Sequence, residues 1–119
     1  MCAVCEWRVG DEPDGEPAAP RVDVVYYLGF RDRIKIGTTA NPRQRLAALR
    51  FDELLAFERG DRLVEQRRHR QFAIGRLGTS EWFELDDALR SHIAELRAGV
   101  DDPWARYARW VSSGVARRG

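Results

Sequence analysis

The chain is poor in long apolar runs, in methionine and in cysteine. Its 119 residues contain one methionine and two cysteines, and no stretch approaches the roughly 20 consecutive apolar residues that span a membrane. The first five residues have neither the basic region nor the apolar run of a secretory signal. We therefore expect no membrane partner, and a cytoplasmic protein whose cysteines are reduced.

The two cysteines, Cys2 and Cys5, form a CxxC pair that is only half of a zinc site, because structural Zn²⁺ takes four ligands. The histidines of the chain are His69 and His92, and neither has the spacing of a zinc finger. A mobile N-terminus with reduced thiols is the favoured interpretation. A zinc site shared between two chains is the alternative.

The formal net charge of +1 hides an uneven distribution of charge. Residues 1–20 hold five acidic residues and one arginine, whereas residues 31–76 hold twelve basic and six acidic residues. Clustered arginines favour a polyanionic partner, because a guanidinium can pair with a phosphate through two hydrogen bonds. The plainer interpretation of such charge runs is a solvated helix face.

Composition divides the chain into three parts. Residues 10–20 are rich in proline, glycine and acidic side chains, so residues 1–22 are predicted to be a flexible acidic leader that carries the CxxC pair. Residues 23–98 are predicted to form one folded domain. Residues 99–119 are predicted to be a C-terminal Trp-rich helix that docks on the core, and a dimer contact is the alternative for its aromatic stripe.

The predicted order of elements is strand, strand, helix, strand, helix, helix, with a further helix at the end. The predicted strands are at 24–28, 34–36 and 54–57. The first predicted helix follows the cap Asn41 and ends near residue 50, and the second follows Asp61 and ends near residue 74. The third follows Asp86 or Asp87 and ends near residue 98. A last helix is predicted to begin at Pro103. The segment 81–85 is predicted to be extended or a turn. The order indicates an α+β fold, a small three-stranded antiparallel sheet flanked by helices.

Several short motifs occur in one order along the chain. They are Val25-Tyr26, Lys35-Ile36-Gly37, Arg45 in the first helix, Glu65 in the second, and Glu81-Trp82-Phe83. In this order and spacing the chain resembles the GIY-YIG nuclease superfamily, and most closely its phage-type branch, which is often described only as DNA-binding. The resemblance covers roughly residues 23–97. It departs from the family at Lys35, where the family name has a second tyrosine, and at Leu49, where a histidine often stands.

The resemblance implies an endonuclease that hydrolyses DNA phosphodiester bonds with a single divalent ion, Mg²⁺ or Mn²⁺. It implies Glu65 as the metal ligand and Arg45 as the group that binds the phosphate oxygens. Tyr26 would orient or deprotonate the attacking water. Lys35 would supply a second positive charge or a base. His69, four residues after Glu65, would relay a proton, contact phosphate or touch the metal, and packing against the sheet is the alternative.

Three further residues, Ile36, Gly37 and Trp82, are expected to support the motifs. Gly37 is interpreted as bare backbone where a side chain would project toward the first helix or a phosphate, and a strand-ending turn is the alternative. Tyr26 and Lys35 are expected to form a pair across the hairpin, with Tyr27 on the opposite face. The alternative is that Tyr27 faces the site while Tyr26 packs in the core.

Exposed arginines are expected to contact the phosphate backbone without reading its sequence. They are Arg43, Arg50, Arg67, Arg68 and Arg70, with Arg76 beside them. DNA is the expected partner, RNA is left open, and so is a homodimer or a partner protein. Three functions follow: an endonuclease of a phage, mobile element or defence system, a catalytically weak or inactive DNA-binding module, and a protein-interaction domain built on the C-terminus.

Overall fold

The computed structural model describes residues 21–100 and 102–118, so Cys2 and Cys5 and most of the predicted leader lie outside the described residues. These residues form an α+β fold in which helices pack on both faces of a four-stranded antiparallel sheet. The α+β class is confirmed, and the predicted number of strands is one too few. The fourth strand has three residues, too few for an alternating pattern to distinguish a strand from a turn.

The elements follow one another with short connections. They are β1 Val24–Phe30, β2 Arg33–Thr39, α1 Pro42–Ala47, β3 Glu53–Arg59, α2 Arg62–Gln71, a 3₁₀ turn Ala73–Gly75, β4 Trp82–Glu84, α3 Asp87–Arg97 and α4 Pro103–Arg118. The order of strands across the sheet is β3-β1-β2-β4. No helix in the described part of the chain combines the length and apolar character needed to cross a bilayer.

The β1–β2 hairpin is longer than predicted. Both strands extend to a two-residue turn at Arg31 and Asp32, whereas the whole segment 29–33 had been interpreted as the connection. Arg31 has a φ of 58°, an uncommon value for a residue with a side chain. Its amide donates a hydrogen bond of 2.7 Å to the carboxylate of Asp52 at the start of the third strand. This tertiary contact stabilises a turn that local sequence does not indicate.

The sheet has a separate apolar core on each face. One core places Tyr27, Ile36 and Phe83 against side chains of α2 and α3. The other places Tyr26, Leu28 and Phe57 against α1 and α4. Adjacent tyrosines therefore point to opposite faces, as successive residues of a strand must, and the predicted opposition of Tyr26 and Tyr27 is confirmed.

The helices differ from the prediction mainly where they end. The predicted caps are confirmed, since the side chains of Asn41, Asp61 and Asp86 each accept a hydrogen bond from a backbone amide of the first turn. The first helix ends three residues early, and the second ends at Gln71 and continues only as a 3₁₀ turn. The predicted docking of α4 is confirmed, because the Trp104 ring packs edge-on against Phe57 with 5.0 Å between centroids.

Candidate active site

Tyr26 lies directly over Gly37, which is its partner across the β1–β2 hairpin. The tyrosine is 1% exposed. A Cβ atom added to Gly37 would come within 2.4 Å of the phenol oxygen and 2.5 Å of Cζ, far inside the normal contact distance. Gly37 is therefore required by the tyrosine ring, which corrects the interpretation that its bare backbone faces the first helix or a phosphate.

Arg45 contacts the same phenol from the first helix. Asn41 caps this helix and Pro42 occupies its first turn, which places Arg45 on the second turn, above the sheet. Its Nε donates to the Tyr26 oxygen over 3.4 Å, while the rest of the arginine is exposed. The exposed part of the guanidinium retains donors for a phosphate oxygen.

Glu65 is the one charged residue in the described part of the chain that is almost fully buried, with 8% of its surface exposed. Burial raises the pKa of its carboxyl, and the nearby negative charge of Glu81 raises it further. Its ion pair with His69 is 3.8 Å long, beyond hydrogen-bonding distance. Such a carboxylate is stabilised by any cation that reaches it.

His69 braces the second helix against the sheet. Its Nε2 lies 2.9 Å from the carbonyl oxygen of Ile36, and because a carbonyl only accepts, this nitrogen carries the hydrogen. The ring also packs on Phe83, with 5.2 Å between centroids. These contacts match the alternative interpretation, in which the histidine packs against the sheet.

Lys35 shares the sheet face of Tyr26 but is not its cross-strand partner. The register pairs Lys35 with Leu28 and Tyr26 with Gly37, so the predicted pair of Tyr26 and Lys35 is wrong by two residues. The ammonium lies 3.8 Å from the Oε1 of Glu81 and 5.4 Å from the centroid of the Trp82 ring. The Trp82 ring thus lies within cation–π distance of the lysine.

Glu81 is a site residue that the sequence analysis did not identify. Its Oε1 is buried and has no hydrogen-bond partner among the described residues. The available signal was its position beside Trp82 in the Glu-Trp-Phe segment, which had been assigned only a supporting role. Such a buried, unsatisfied carboxylate oxygen is rare and calls for an explanation.

Tyr26 is the point on which these groups converge. Burial raises the pKa of its phenol, the hydrogen bond from Arg45 opposes that rise, and the negative charges of Glu81 and Glu65 add to it. Arg45 contacts this phenol directly, and the charges of Glu81 and Glu65 are near enough to act on it. The phenol therefore stays protonated at neutral pH, accepts from Arg45 and can donate to an oxygen in the pocket.

The predicted phosphate-binding arginines separate into two groups. Exposed side chains are found at Arg43, Arg50, Arg67 and Arg70. Arg68 is half-buried, and its guanidinium pairs through two nitrogens with the carboxylate of Glu58, so this geometry does not support its predicted role in DNA binding. Arg76 is also occupied, since it donates to the carbonyl oxygens of Thr79 and Ser80.

Two clefts lie at the end of β2 and share Thr39. One has a volume of about 270 Å³ and includes Arg45, Asn41 and Gln44 in its lining. The other has a volume of about 420 Å³ and includes Arg62 among its lining residues. Arg62 is exposed and was missed by the sequence analysis, because nothing in the local pattern distinguishes it from its neighbours.

A second polar cluster lies on the opposite face of the sheet. The phenol of Tyr27 donates to Glu58 over 2.7 Å and lies 3.0 Å from the Nε2 of His92. Burial alone would raise the pKa of Glu58, but hydrogen bonds from His92, Arg68 and Tyr27 outweigh it and lower that pKa to about 2. This satisfied network joins two strands and two helices, so its role is structural.

The described residues hold no group of three or more His, Cys, Asp and Glu side chains placed to bind a metal ion. A zinc site of protein ligands alone is therefore not formed by residues 21–100 and 102–118. Mg²⁺ and Mn²⁺ need fewer protein ligands, because Mg²⁺ commonly keeps several waters and binds one or two carboxylates together with substrate phosphates. The buried carboxylate of Glu65 fits that chemistry.

The sequence matches the model of one known domain family. The model of the T5orf172 domain matches residues 23–102. The chain belongs to the T5orf172 domain family. This is a phage-associated domain of a nuclease-related superfamily, so a role in DNA binding or nuclease chemistry is indicated. No curated protein and no solved structure gives a significant match. In this T5orf172 domain the matched region contains the sheet and all the residues of the pocket described above.

Proposed function

We propose that this T5orf172 domain is a metal-dependent endonuclease of the GIY-YIG type that hydrolyses DNA phosphodiester bonds. The observation that carries the proposal is the hydrogen bond from Arg45 to the buried phenol of Tyr26, with the carboxylate of Glu65 near enough for its charge to act on the same phenol. Phosphodiester hydrolysis requires a positioned water, positive charge on the phosphate oxygens and stabilisation of the leaving oxygen. Each of these requirements has a candidate group in the pocket.

Arg45 binds the non-bridging oxygens of the scissile phosphate with the donors that Tyr26 leaves unoccupied. The protonated phenol of Tyr26 donates to the attacking water or to a phosphate oxygen and fixes its position. Lys35 adds positive charge at the rim of the pocket. A single Mg²⁺ or Mn²⁺ held by Glu65 supplies Lewis-acid stabilisation when it is bound.

The DNA backbone is proposed to follow the clefts at the end of β2, where Arg45 and Arg62 contribute charge. Arg43, Arg67 and Arg70 are exposed, and we expect them to add contacts to the phosphate backbone. Contacts of this kind bind the backbone of any sequence and weaken as salt is added, because bound counterions are released.

The second candidate is a DNA-binding module with little or no cleavage activity. It is favoured by Leu49, which stands where a histidine is often found, and by the ion pair that holds Lys35 near Glu81. In this case the arginine surface would be retained while the chemistry would be weak.

Nicking of supercoiled plasmid in Mg²⁺ or Mn²⁺ tests the proposal. We expect nicking by the wild type, and a loss of about 100-fold or more in Glu65→Gln and Arg45→Ala. Matched substitutions of exposed residues on α3, Glu95→Gln and Arg90→Ala, should leave the rate unchanged.

Other outcomes separate the candidates. Salt-sensitive DNA binding without nicking would support the second candidate. Nicking that survives both Glu65→Gln and Arg45→Ala would overturn the mechanism, and a protein that neither binds nor nicks DNA at low salt would overturn both functions.

A further inference from the structure

The helix that carries Arg45 is too short to be stable by itself. α1 has six residues, and isolated helices shorter than about 12–15 residues are marginal in water. Its position therefore depends on contacts with the rest of the fold. Leu46 is 5% exposed and packs in the same core as Tyr26, and Arg45 donates to the Tyr26 phenol over 3.4 Å.

A third contact joins α1 to the last helix. The Cζ atom of Arg43 lies 4.8 Å from the centroid of the Trp104 ring, within cation–π distance. Arg43 and Leu46 are three residues apart and share one face of α1, whereas Arg45, two residues from Arg43, points to another side. α1 is therefore held between α4, through Arg43, and β1, through Arg45.

The same tryptophan also supports the strand that carries Tyr26. The Trp104 ring packs edge-on against Phe57 with 5.0 Å between centroids, and Phe57 is the cross-strand partner of Tyr26 in the β1–β3 pair. Residues directly opposite each other on antiparallel strands are neighbours on one face of the sheet. Trp104 thus contacts a neighbour of each member of the Arg45–Tyr26 hydrogen bond.

We propose that Trp104 is a positioning residue of the candidate site, whose ring holds α1, and with it Arg45, against Tyr26. The inference rests on the proposed function for the role of Arg45 in cleavage, while the support of α1 requires neither DNA nor metal. α4 begins at Pro103, just beyond residues 23–102, which the family model matches. The geometry of the site therefore depends on a helix outside the matched domain.

Amide hydrogen exchange of the full chain, followed by NMR without DNA or metal, tests the support of α1. The Arg45 amide, which donates to the Asn41 carbonyl oxygen over 3.0 Å, reports on the helix. In Trp104→Leu this amide should exchange at least about fivefold faster relative to the amides of α2. In Arg43→Gln the relative increase should be about two- to fivefold, the value of an exposed cation–π contact.

The matched control is Trp110→Leu. It makes the same change in another half-buried tryptophan of α4, whose ring lies 5.3 Å from the Cζ atom of Arg106 on the same helix. It should lower stability without raising the exchange of α1 relative to α2. In the double variant of Arg43→Gln and Trp104→Leu, α1 should exchange no faster than in Trp104→Leu alone. Equal exchange of α1 in Trp104→Leu and Trp110→Leu would overturn the proposal.

Plasmid nicking at saturating DNA, at a temperature where circular dichroism shows every variant folded, connects this support to the chemistry. Trp104→Leu should lower the rate by about tenfold, because a catalytic group displaced by about 1 Å loses much of its effect. Trp110→Leu should keep the wild-type rate. Arg43→Gln should also lower the saturated rate, whereas Arg67→Gln, which removes the same charge from α2, should only raise the DNA concentration that is needed.

The failures of the two proposals are distinguishable. If the wild type nicks DNA and Trp104→Leu nicks at the wild-type rate, the positioning role is overturned and the proposed function stands. If the wild type nicks no DNA, the proposed function is overturned, and the exchange of α1 decides by itself whether Trp104 holds Arg45 in place.

Discussion

Replacing Gly37 with alanine should destabilise the fold by acting on Tyr26. The added Cβ would lie 2.4 Å from the phenol oxygen, 2.5 Å from Cζ and 2.9 Å from Cε1. Normal contacts are about 3.5–4.0 Å, so the ring would have to move by about 1 Å within a core that also contains Leu46 and Phe57. We expect the free energy of unfolding to fall by about 2 kcal/mol, since overpacking costs about 1–3 kcal/mol and alanine is slightly better than glycine within a strand.

Urea unfolding followed by circular dichroism measures this change. The control is Gly29→Ala on the neighbouring strand, where the new Cβ would have its nearest neighbour at 3.6 Å, an ordinary contact. That variant should be neutral or more stable by up to about 1 kcal/mol.

A double-mutant cycle identifies the cause of the loss. In a Tyr26→Val background there is no ring for the new methyl group to meet, so Gly37→Ala should cost little, and the coupling between the two positions should be about 2 kcal/mol. The reasoning fails if Gly37→Ala is as stable as Gly29→Ala, or if it costs the same with and without the tyrosine.

Three further predictions concern other parts of the molecule. Folding lowers the pKa of Glu58 from its ordinary value of 4.5 to about 2, so its contribution to stability is present above pH 4.5 and is lost as the pH falls toward 2. Acid unfolding of Glu58→Gln should therefore show a shallower decline across that window, and a wild-type slope would contradict this. Trp104→Ala should lower the free energy of unfolding by about 2 kcal/mol, because its ring packs on Phe57. The loss should be smaller than for removal of a fully buried tryptophan, since this ring is only half-buried. Equal stability of the variant and the wild type in urea would refute the docking of the helix. In fluorescence anisotropy, Arg67→Ala should reduce the salt dependence of DNA binding by about one phosphate contact, whereas Arg68→Ala should lower stability and leave that slope unchanged; equal slopes for Arg67→Ala and the wild type would count against the proposed surface.

Local sequence signals predicted the elements of the fold well and their ends poorly. Asn41, Asp61 and Asp86 mark helix starts because a side-chain cap is a local interaction. The extension of the hairpin through Phe30 depends instead on Asp52, which holds the turn from a distant position. The strand 82–84 exists because the edge of β2 is available to pair with it, and no window of sequence contains that edge.

The candidate site was predictable as a set of residue types, and its geometry was not. The opposition of Tyr26 and Tyr27 follows from strand alternation alone. The register of the hairpin depends on where the turn lies, and the turn at Arg31 and Asp32 places Lys35 opposite Leu28, two residues from Tyr26. Arg68 differs from Arg67 only through Glu58, a residue on a strand whose pairing could not be foreseen from the arginines themselves.

The main chain of Ile36 makes two hydrogen bonds that connect three elements. Its amide donates to the carbonyl oxygen of Glu81 over 3.0 Å, and its carbonyl oxygen accepts from His69 on the second helix. An apolar side chain that fills the same buried space would keep both bonds. Proline is the exception, because it has no amide hydrogen to donate. The spacing between the edge of β2 and the second helix therefore depends on main-chain groups, which a comparison of side chains would not reveal.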